Sequence, residues 1–284
     1  MDQRRVFPRL CFLLTASTAL LGVVVRSVCF LCLFEKDIGY FESGILPALS
    51  DALYLVALII PIVCASLTPR DALPRRLNAS GRAIPAVLLG LALAAFTTVS
   101  LLICFPARRS NTMVAPSLLG LLASTYYFLS ARKSDRYPDW LSLLGYLPVF
   151  WSITAIGETY FDTYTAMNSP VKLALQFGMM GFMLIALAEL RFRVDRAVPR
   201  YSLVFLSIGS YVCLVGSIPV LVATGAGILN HLRHTLFATV LFCAGAYALY
   251  LLFRYVVSPV DTPDTPAPSD TAEDILTESP NNVE

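Results

Sequence analysis

Charged side chains are scarce in this sequence. Only 14% of its 284 residues are charged, whereas a soluble domain carries about 25%. A soluble protein of this length would need far more polar surface, but a protein whose outer face meets lipid would not. The shortage of charge therefore excludes an ordinary soluble domain and predicts a membrane protein.

Motifs that define common enzyme classes are also missing. The sequence has no H-E-x-x-H, no G-x-S-x-G and no Walker loop, which argues against the enzyme classes that use them. His231 and His234 are the only histidines, and no carboxylate or cysteine lies near them in the sequence to complete a metal site. We expect no metal, no other cofactor and no nucleic-acid partner. An enzyme is not expected, although one that acts on lipid remains an alternative.

Eight apolar segments have lengths near the 20 or so residues of a membrane-spanning helix. They cover residues 10–34, 45–67, 85–105, 114–131, 141–159, 171–190, 202–224 and 235–257. The links between them are short and leave no room for a second folded domain. The sequence therefore predicts an all-α fold, a polytopic bundle of about eight transmembrane helices within residues 1–257.

The end of the chain has a different composition from the rest. Residues 258–284 are rich in Pro, Thr, Ser and acidic side chains, with seven carboxylates and no Lys or Arg. A segment of this composition cannot bury a hydrophobic core. We predict that it is a disordered acidic tail on the cytoplasmic side of the membrane.

Lys and Arg are distributed unevenly along the predicted bundle. If eight spans alternate in direction, fifteen basic residues fall on the side of the termini and only five on the other side, while Arg26 lies within a span. Basic residues are retained in the cytoplasm. The distribution therefore predicts a multi-pass plasma-membrane protein with both termini in the cytoplasm.

Two opposite charges lie within the first two predicted spans. Arg26 and Asp51 are at similar depths below the outer face, on spans joined by a short link. Because an unpaired charge in lipid is costly, we predict an intramembrane ion pair between them. Two interpretations remain open: a lock between two helices, or part of a substrate or proton site.

The stretch IGETYFDTYTAMNSP, residues 156–170, lies between two strongly apolar segments. On a helix, Trp151, Thr154 and Glu158 share one face, and Asp162 follows at the predicted rim. An aromatic ring, a hydroxyl group and a carboxylate together suit a small polar or cationic ligand. The alternative is an interfacial anchor that packs against a neighbouring helix.

Three stretches carry a resemblance to a known group of proteins. They are FEKDIGYFESGILP (34–47), ETYFDTYTAMNSPVKLALQ (158–176) and LRFRVDRAVPRY (190–201). They resemble an uncharacterised polytopic membrane protein family of gut-type Firmicutes bacteria. The resemblance implies a bacterial plasma membrane, and it attaches no activity to the chain.

These observations favour one class of function over its rivals. The leading hypothesis is recognition or transport of a small polar or cationic solute from the outer face. The alternative is a non-transporting membrane sensor or assembly partner. Besides the lipid bilayer, the sequence identifies no particular partner.

The predicted threading can be tested with reporter fusions. We expect fusions after Arg70, Arg132 and Arg196 to report the cytoplasm, because these residues carry the basic bias. Fusions near Lys36 and Thr163 should report the outside. If Lys36 and Arg70 reported the same side, the number of spans would be wrong.

Overall fold

The computed structural model describes most of the chain except the tail and several links. The described residues are 6–69, 72–74, 83–107, 114–131, 139–163, 165–194 and 197–257. The predicted disordered tail at 258–284 lies outside the described residues, as do most of the basic residues on the predicted cytoplasmic side.

The described chain is mainly helical, which confirms the all-α class. Its helices are α1 (Val6–Cys32), α2 (Ile45–Leu67), α3 (Ala83–Ala107), α4 (Val114–Ser130), α5 (Asp139–Leu144), α6 (Leu147–Tyr160), α7 (Pro170–Arg193), α8 (Pro199–Gly225) and α9 (Leu232–Val257). Each predicted apolar segment overlaps one helix, except the fifth, which overlaps both α5 and α6.

Among the described residues, six helices are long and apolar enough to cross a membrane, namely α1, α2, α3, α7, α8 and α9. They have the length and hydropathy of an integral membrane protein. Helix α4 has only 17 residues, about 25 Å at 1.5 Å per residue, which is less than the thickness of a typical hydrocarbon core. The predicted number of eight spans is therefore not confirmed by length and hydropathy alone.

The fifth apolar segment is broken because of its local sequence. The amide groups of Gly145 and Tyr146 donate to carbonyls three residues back, at 3.1 Å each, which tightens and ends α5. Pro148 then lies in the first turn of α6, where a residue without an amide proton is tolerated. A Cβ atom at Gly145 would lie 2.8 Å from Leu190 Cδ1, so the absence of a side chain at this position leaves room for the Leu190 side chain of α7.

A short β-hairpin joins α1 to α2, and the sequence did not predict it. Strands β1 (Phe34–Glu35) and β2 (Tyr40–Phe41) pair antiparallel. Gly39 has φ +77° in the turn, a conformation that glycine adopts without strain. The Phe30 ring packs against Phe34 and Phe41, with centroid distances of 5.5 and 4.9 Å. The link is therefore an ordered element packed on the end of α1. We call this end of the bundle the hairpin end.

Helix α8 lies at the centre of the bundle, in contact with α1, α2, α7 and α9. In its most apolar stretch 78% of the residues are buried, compared with 33% in α1 and in α2. Helices α3, α4 and α6 form a second group, in which α4 packs on both α3 and α6. Large apolar side chains on α1 and α2, such as Leu20, Leu55 and Ile59, are exposed, as expected of surfaces that face lipid.

Glycines allow α7 and α8 to approach each other closely. A Cβ atom at Gly216 would lie 2.6 Å from the main-chain oxygen of Ala174, and one at Gly209 would lie 2.9 Å from that of Gly181. Small residues let helix backbones come together in this way in membrane proteins. The α7–α8 contact is therefore a direct backbone packing that cannot absorb a larger side chain.

We predict that Gly216→Ala destabilises the protein by about 1–3 kcal/mol, the usual range for overpacking, because the Ala174 carbonyl cannot move aside. The measurement is the thermal denaturation midpoint of the purified protein. Gly157→Ala is the matched control, since Gly157 has open space around its Cα. That change should be neutral or stabilising by up to about 1 kcal/mol. Equal losses in both variants would contradict the close α7–α8 approach.

Candidate functional site

Four segments meet at the hairpin end: the last turn of α6, the α6–α7 link, and the first turns of α7 and α9. They bring together two carboxylates, two cationic side chains and one imidazole. These are Glu158, Asp162, Lys172, Arg233 and His234. We call this group the Glu158 cluster.

Glu158 is the most deeply buried acid of the cluster, with 1% of its side chain exposed. The Arg233 Nη1 atom lies 2.7 Å from Glu158 Oε1, which makes a close ion pair. The geometry is not that of a hydrogen bond, and neither Glu158 oxygen accepts one from any described residue. A buried carboxylate normally accepts several hydrogen bonds. Glu158 is therefore paired in charge but unsatisfied as an acceptor.

Asp162 is better satisfied than Glu158. Thr165 Oγ1 donates a hydrogen bond of 2.8 Å to Asp162 Oδ2, and His234 Nε2 lies 3.7 Å from the same oxygen. The other oxygen, Oδ1, lies 3.7 Å from Arg233 Nη1. Arg233 thus bridges Glu158 and Asp162, and 27% of its side chain remains exposed.

Lys172 is the fixed cation of the cluster. Its side chain is almost fully buried, and its Nζ donates a 2.9 Å hydrogen bond to the main-chain oxygen of Asp162. The start of α7 holds it there, because the Ser169 hydroxyl accepts from the Lys172 amide and caps the helix. This is the standard role of serine at a helix N-terminus. Because Ser169 is the last residue of the α6–α7 link, this cap fixes the position of Lys172 relative to the link.

A cavity of about 520 Å³ opens beside the cluster, between the hairpin, the α6–α7 link and the α8–α9 link. Its polar lining comes from all three segments and includes Lys36, Asp37, Thr165, Asn230, His231 and His234. Lys36 Nζ donates to the main-chain oxygen of Gly227 at 3.5 Å, which joins two of the walls. Thr165 and His234 line the cavity and also contact Asp162, so one layer of side chains separates the cavity from the carboxylates.

Two of the four predicted ligand-binding residues lie in the Glu158 cluster and two do not. Trp151 is fully buried in an aromatic layer, 5.6 Å from the Phe96 ring and 5.4 Å from that of Phe182. Thr154 donates its hydroxyl proton to main-chain oxygens of its own helix. None of the four predicted residues is among the described residues that line the cavity. Their assignment to ligand binding stays a prediction.

Sequence reasoning missed three members of the cluster. In the sequence, Lys172 and Arg233 contribute only to the count of basic residues that predicts the threading. His234 is considered there only together with His231, as a pair of metal ligands. The carboxylates that contact Arg233 and His234 lie about 70 residues earlier in the chain. One signal was available: all three residues occur at the ends of spans on the side where Glu158 and Asp162 also occur.

Arg26 lies at the same end of the bundle, and neutral groups hold it. Nη1 donates to Ser50 Oγ and Nη2 to the main-chain oxygen of Pro170, both at 3.2 Å, and the guanidinium lies 5.2 Å from the Tyr54 ring centroid. Asp51 Oδ1 is 4.0 Å from Nη1, and the Asp51 side chain is 82% exposed. The predicted pair is thus at the distance limit of an ion pair, and Arg26 has closer partners.

A second buried ion pair occurs at the other end of α7. Arg193 donates a hydrogen bond to Glu189 one turn earlier, and its guanidinium lies 5.1 Å from the Tyr126 ring centroid. This pair differs from Glu158–Arg233 in having hydrogen-bond geometry. Glu189 Oε2 accepts no hydrogen bond from a described residue, so the comparison is between one accepting oxygen in Glu189 and none in Glu158.

The chemistry available at the hairpin end is that of polar and ionic binding. Among the described residues, no group of three or more His, Cys, Asp or Glu side chains could hold a metal ion. Comparisons with protein families, with curated proteins and with solved structures find no match for this chain. Function must therefore be argued from the geometry of the site.

A double-mutant cycle on Arg26 and Asp51 measures whether these two charges interact. Arg26→Ala should destabilise the protein by about 2 kcal/mol, through lost hydrogen bonds and ring contacts. Asp51→Ala should cost less than about 0.5 kcal/mol, because an exposed carboxylate is well solvated. Thermal or denaturant unfolding gives both values. A coupling energy above about 1 kcal/mol would show that the ion pair is stronger than its geometry indicates.

Proposed function

We propose that the chain crosses the plasma membrane of a bacterium eight times, with both termini in the cytoplasm. Six crossings follow the long apolar helices, and α4 and the α5–α6 pair supply the other two. The uneven distribution of Lys and Arg supports this threading and puts the hairpin end outside the cell. The bacterial location rests on the resemblance to the Firmicutes family.

We propose further that the protein recognises a small polar solute from the outer face. The observation that carries this proposal is the cavity of about 520 Å³ at the hairpin end, within the usual range for ligand sites. Its walls combine apolar side chains with polar and charged ones in about equal number, and it adjoins buried charges. Apolar walls hold the body of a small molecule and convergent polar groups orient it, so this lining suits a polar solute.

Recognition without passage is the simpler form of this function. Below the cavity, the fully buried rings of Phe96, Trp151, Phe182 and Phe237 pack against one another. These rings come from α3, α6, α7 and α9 and lie further into the bundle than the Glu158 cluster, so passage between these four helices would require them to separate. A sensor or receptor needs only local movement around the bound solute.

Transport is the second candidate, and one observation favours it. Helix α7 carries buried charges near both of its ends, Lys172 at the hairpin end and the Glu189–Arg193 pair at the other. Ionisable groups inside a membrane bundle often mark substrate or ion pathways. A transporter would use these two polar regions in turn on either side of the aromatic layer.

The cavity can be tested by filling it. In a thermal-shift screen of the purified protein against amines, amino acids, sugars and carboxylates, we expect at least one solute to raise the denaturation midpoint by about 2 °C or more at ten times its Kd. Ala166→Trp should abolish that shift, since Ala166 lines the cavity.

The neighbouring substitution Met167→Trp is the matched control. Met167 is exposed and is not among the described residues that line the cavity, so this variant should keep the response. If no solute stabilised the protein, or if Ala166→Trp responded like the native chain, recognition at this cavity would be wrong.

A further inference from the structure

The Glu158 cluster indicates which solutes the site takes, if the proposed recognition function holds. We propose that the ligand is a monovalent organic cation with N–H donors, a guanidinium or a primary ammonium compound. In the structure described here, the Arg233 side chain occupies the place of the ligand cation, between Glu158 and Asp162. Arg233 is thus an internal competitor for the site.

The first argument is the state of the Glu158 carboxylate. It is buried, and among the described residues no group donates a hydrogen bond to either oxygen. A buried ion pair is favourable only when hydrogen bonds also satisfy its remaining polar atoms. In the Glu189–Arg193 pair one carboxylate oxygen accepts a hydrogen bond from Arg193, and Oε2 accepts none from a described residue, whereas at Glu158 neither oxygen accepts one. Glu158 is therefore built to accept N–H donors that Arg233 supplies imperfectly.

The second argument is the position of Arg233. It lies in the first turn of α9, directly after a link that contains Gly227 at φ +70°. Its side chain is partly exposed, and the described partners of its guanidinium are the two carboxylates. Withdrawal of this side chain into solvent would break these two ion contacts. Arg233 can therefore leave the site while α9 stays in place.

The third argument is the charge that remains when Arg233 leaves. Glu158 and Asp162 carry two negative charges, and Lys172 supplies one fixed positive charge through its buried hydrogen bond to the Asp162 main chain. Summed over these described side chains, with His234 counted as neutral, the cluster is then left with one excess negative charge. A single monovalent cation restores the balance, whereas an anion would raise the excess to two in a buried site.

The fourth argument is the space next to the carboxylates. The cavity beyond Thr165 and His234 has apolar walls from Phe34, Ile38 and Leu229. Because Thr165 and His234 separate the carboxylates from this cavity, a ligand whose cationic group replaces Arg233 would place the rest of its structure there once these two side chains move aside. Short-chain amines and guanidines combine a donor-rich head with a small body in this way. A quaternary ammonium has no N–H group and would leave Glu158 as unsatisfied as it is now.

The experiment removes the competitor and measures binding of a defined probe. Methylguanidinium chloride is titrated against the full-length purified protein, and the denaturation midpoint gives an apparent Kd. Sodium chloride at equal concentration controls for ionic strength. We expect Arg233→Met to bind the probe at least about tenfold more tightly than the native chain, since a site occupied for nine-tenths of the time lowers apparent affinity by that factor.

Two further measurements identify the groups responsible. The double variant Glu158→Gln, Arg233→Met should lose the gain, because the amide offers one acceptor oxygen and no charge. Tetramethylammonium chloride should give no shift beyond that of sodium chloride. Equal affinity of the native and Arg233→Met proteins, retention of the gain in the double variant, or an equal response to tetramethylammonium would each overturn the proposal.

Arg193→Met is the matched control for simple repair of a broken ion pair. It removes the arginine of the Glu189–Arg193 pair, which is also buried. If methylguanidinium stabilised this variant as much as Arg233→Met, the effect would be a general rescue of buried acids and the proposal would fail.

If Arg233→Met does not fold, Arg233→Lys serves in its place. Its shorter, less extended cation should still bind the probe more tightly than the native chain, and an unchanged Kd would contradict the proposal.

The result of this experiment can be distinguished from the result of the test of the proposed recognition function. Recognition at the cavity is tested by a solute screen and by Ala166→Trp, neither of which depends on Arg233. If the screen succeeds and Arg233→Met gains nothing, the cavity binds a solute and the competitor idea is wrong. If Arg233→Met gains affinity that Ala166→Trp does not reduce, the carboxylates bind the cation without the cavity.

Discussion

The cost of burying charge in an apolar bundle is the constraint on which the rest of this structure depends. A buried ion offsets its lost hydration only through close partners and satisfied hydrogen bonds. Arg26 meets this condition in part, with a hydroxyl, a main-chain oxygen and an aromatic ring, and Glu189 meets it in part, with one hydrogen bond from Arg193. Glu158 accepts no hydrogen bond from any described residue. That shortfall, rather than the number of charges, distinguishes the hairpin end from an ordinary structural contact.

Helix positions could be predicted from the sequence because a membrane imposes a length of about 20 apolar residues on each span. Two details could not be predicted in the same way. The break between α5 and α6 depends on Gly145 and Pro148, whose effect is local and leaves the apolar pattern intact. The hairpin consists of two strands of two residues each, too short to show any alternation of side chains.

The candidate site was only partly visible in the sequence. Glu158 was found because a carboxylate inside an apolar segment is conspicuous. The spacing of Trp151, Thr154 and Glu158 places them near one helical face, but spacing does not say whether that face meets a cavity or the core. Trp151 faces the core. The contact of Glu158 with Arg233 depends on which helices are neighbours, and short connecting links do not determine that for α6 and α9.

The hydrogen bond from Arg26 to the Pro170 carbonyl has a mechanical consequence. It joins α1, a helix with large lipid-facing side chains, to the first residue of α7, two positions before Lys172. Tilting is one way in which a lipid-facing helix accommodates a change in bilayer thickness. Any tilt of α1 would act on the start of α7 and, through Lys172, on the Asp162 main chain. The two hydrogen bonds thus join the orientation of α1 in the bilayer to the geometry of the carboxylates.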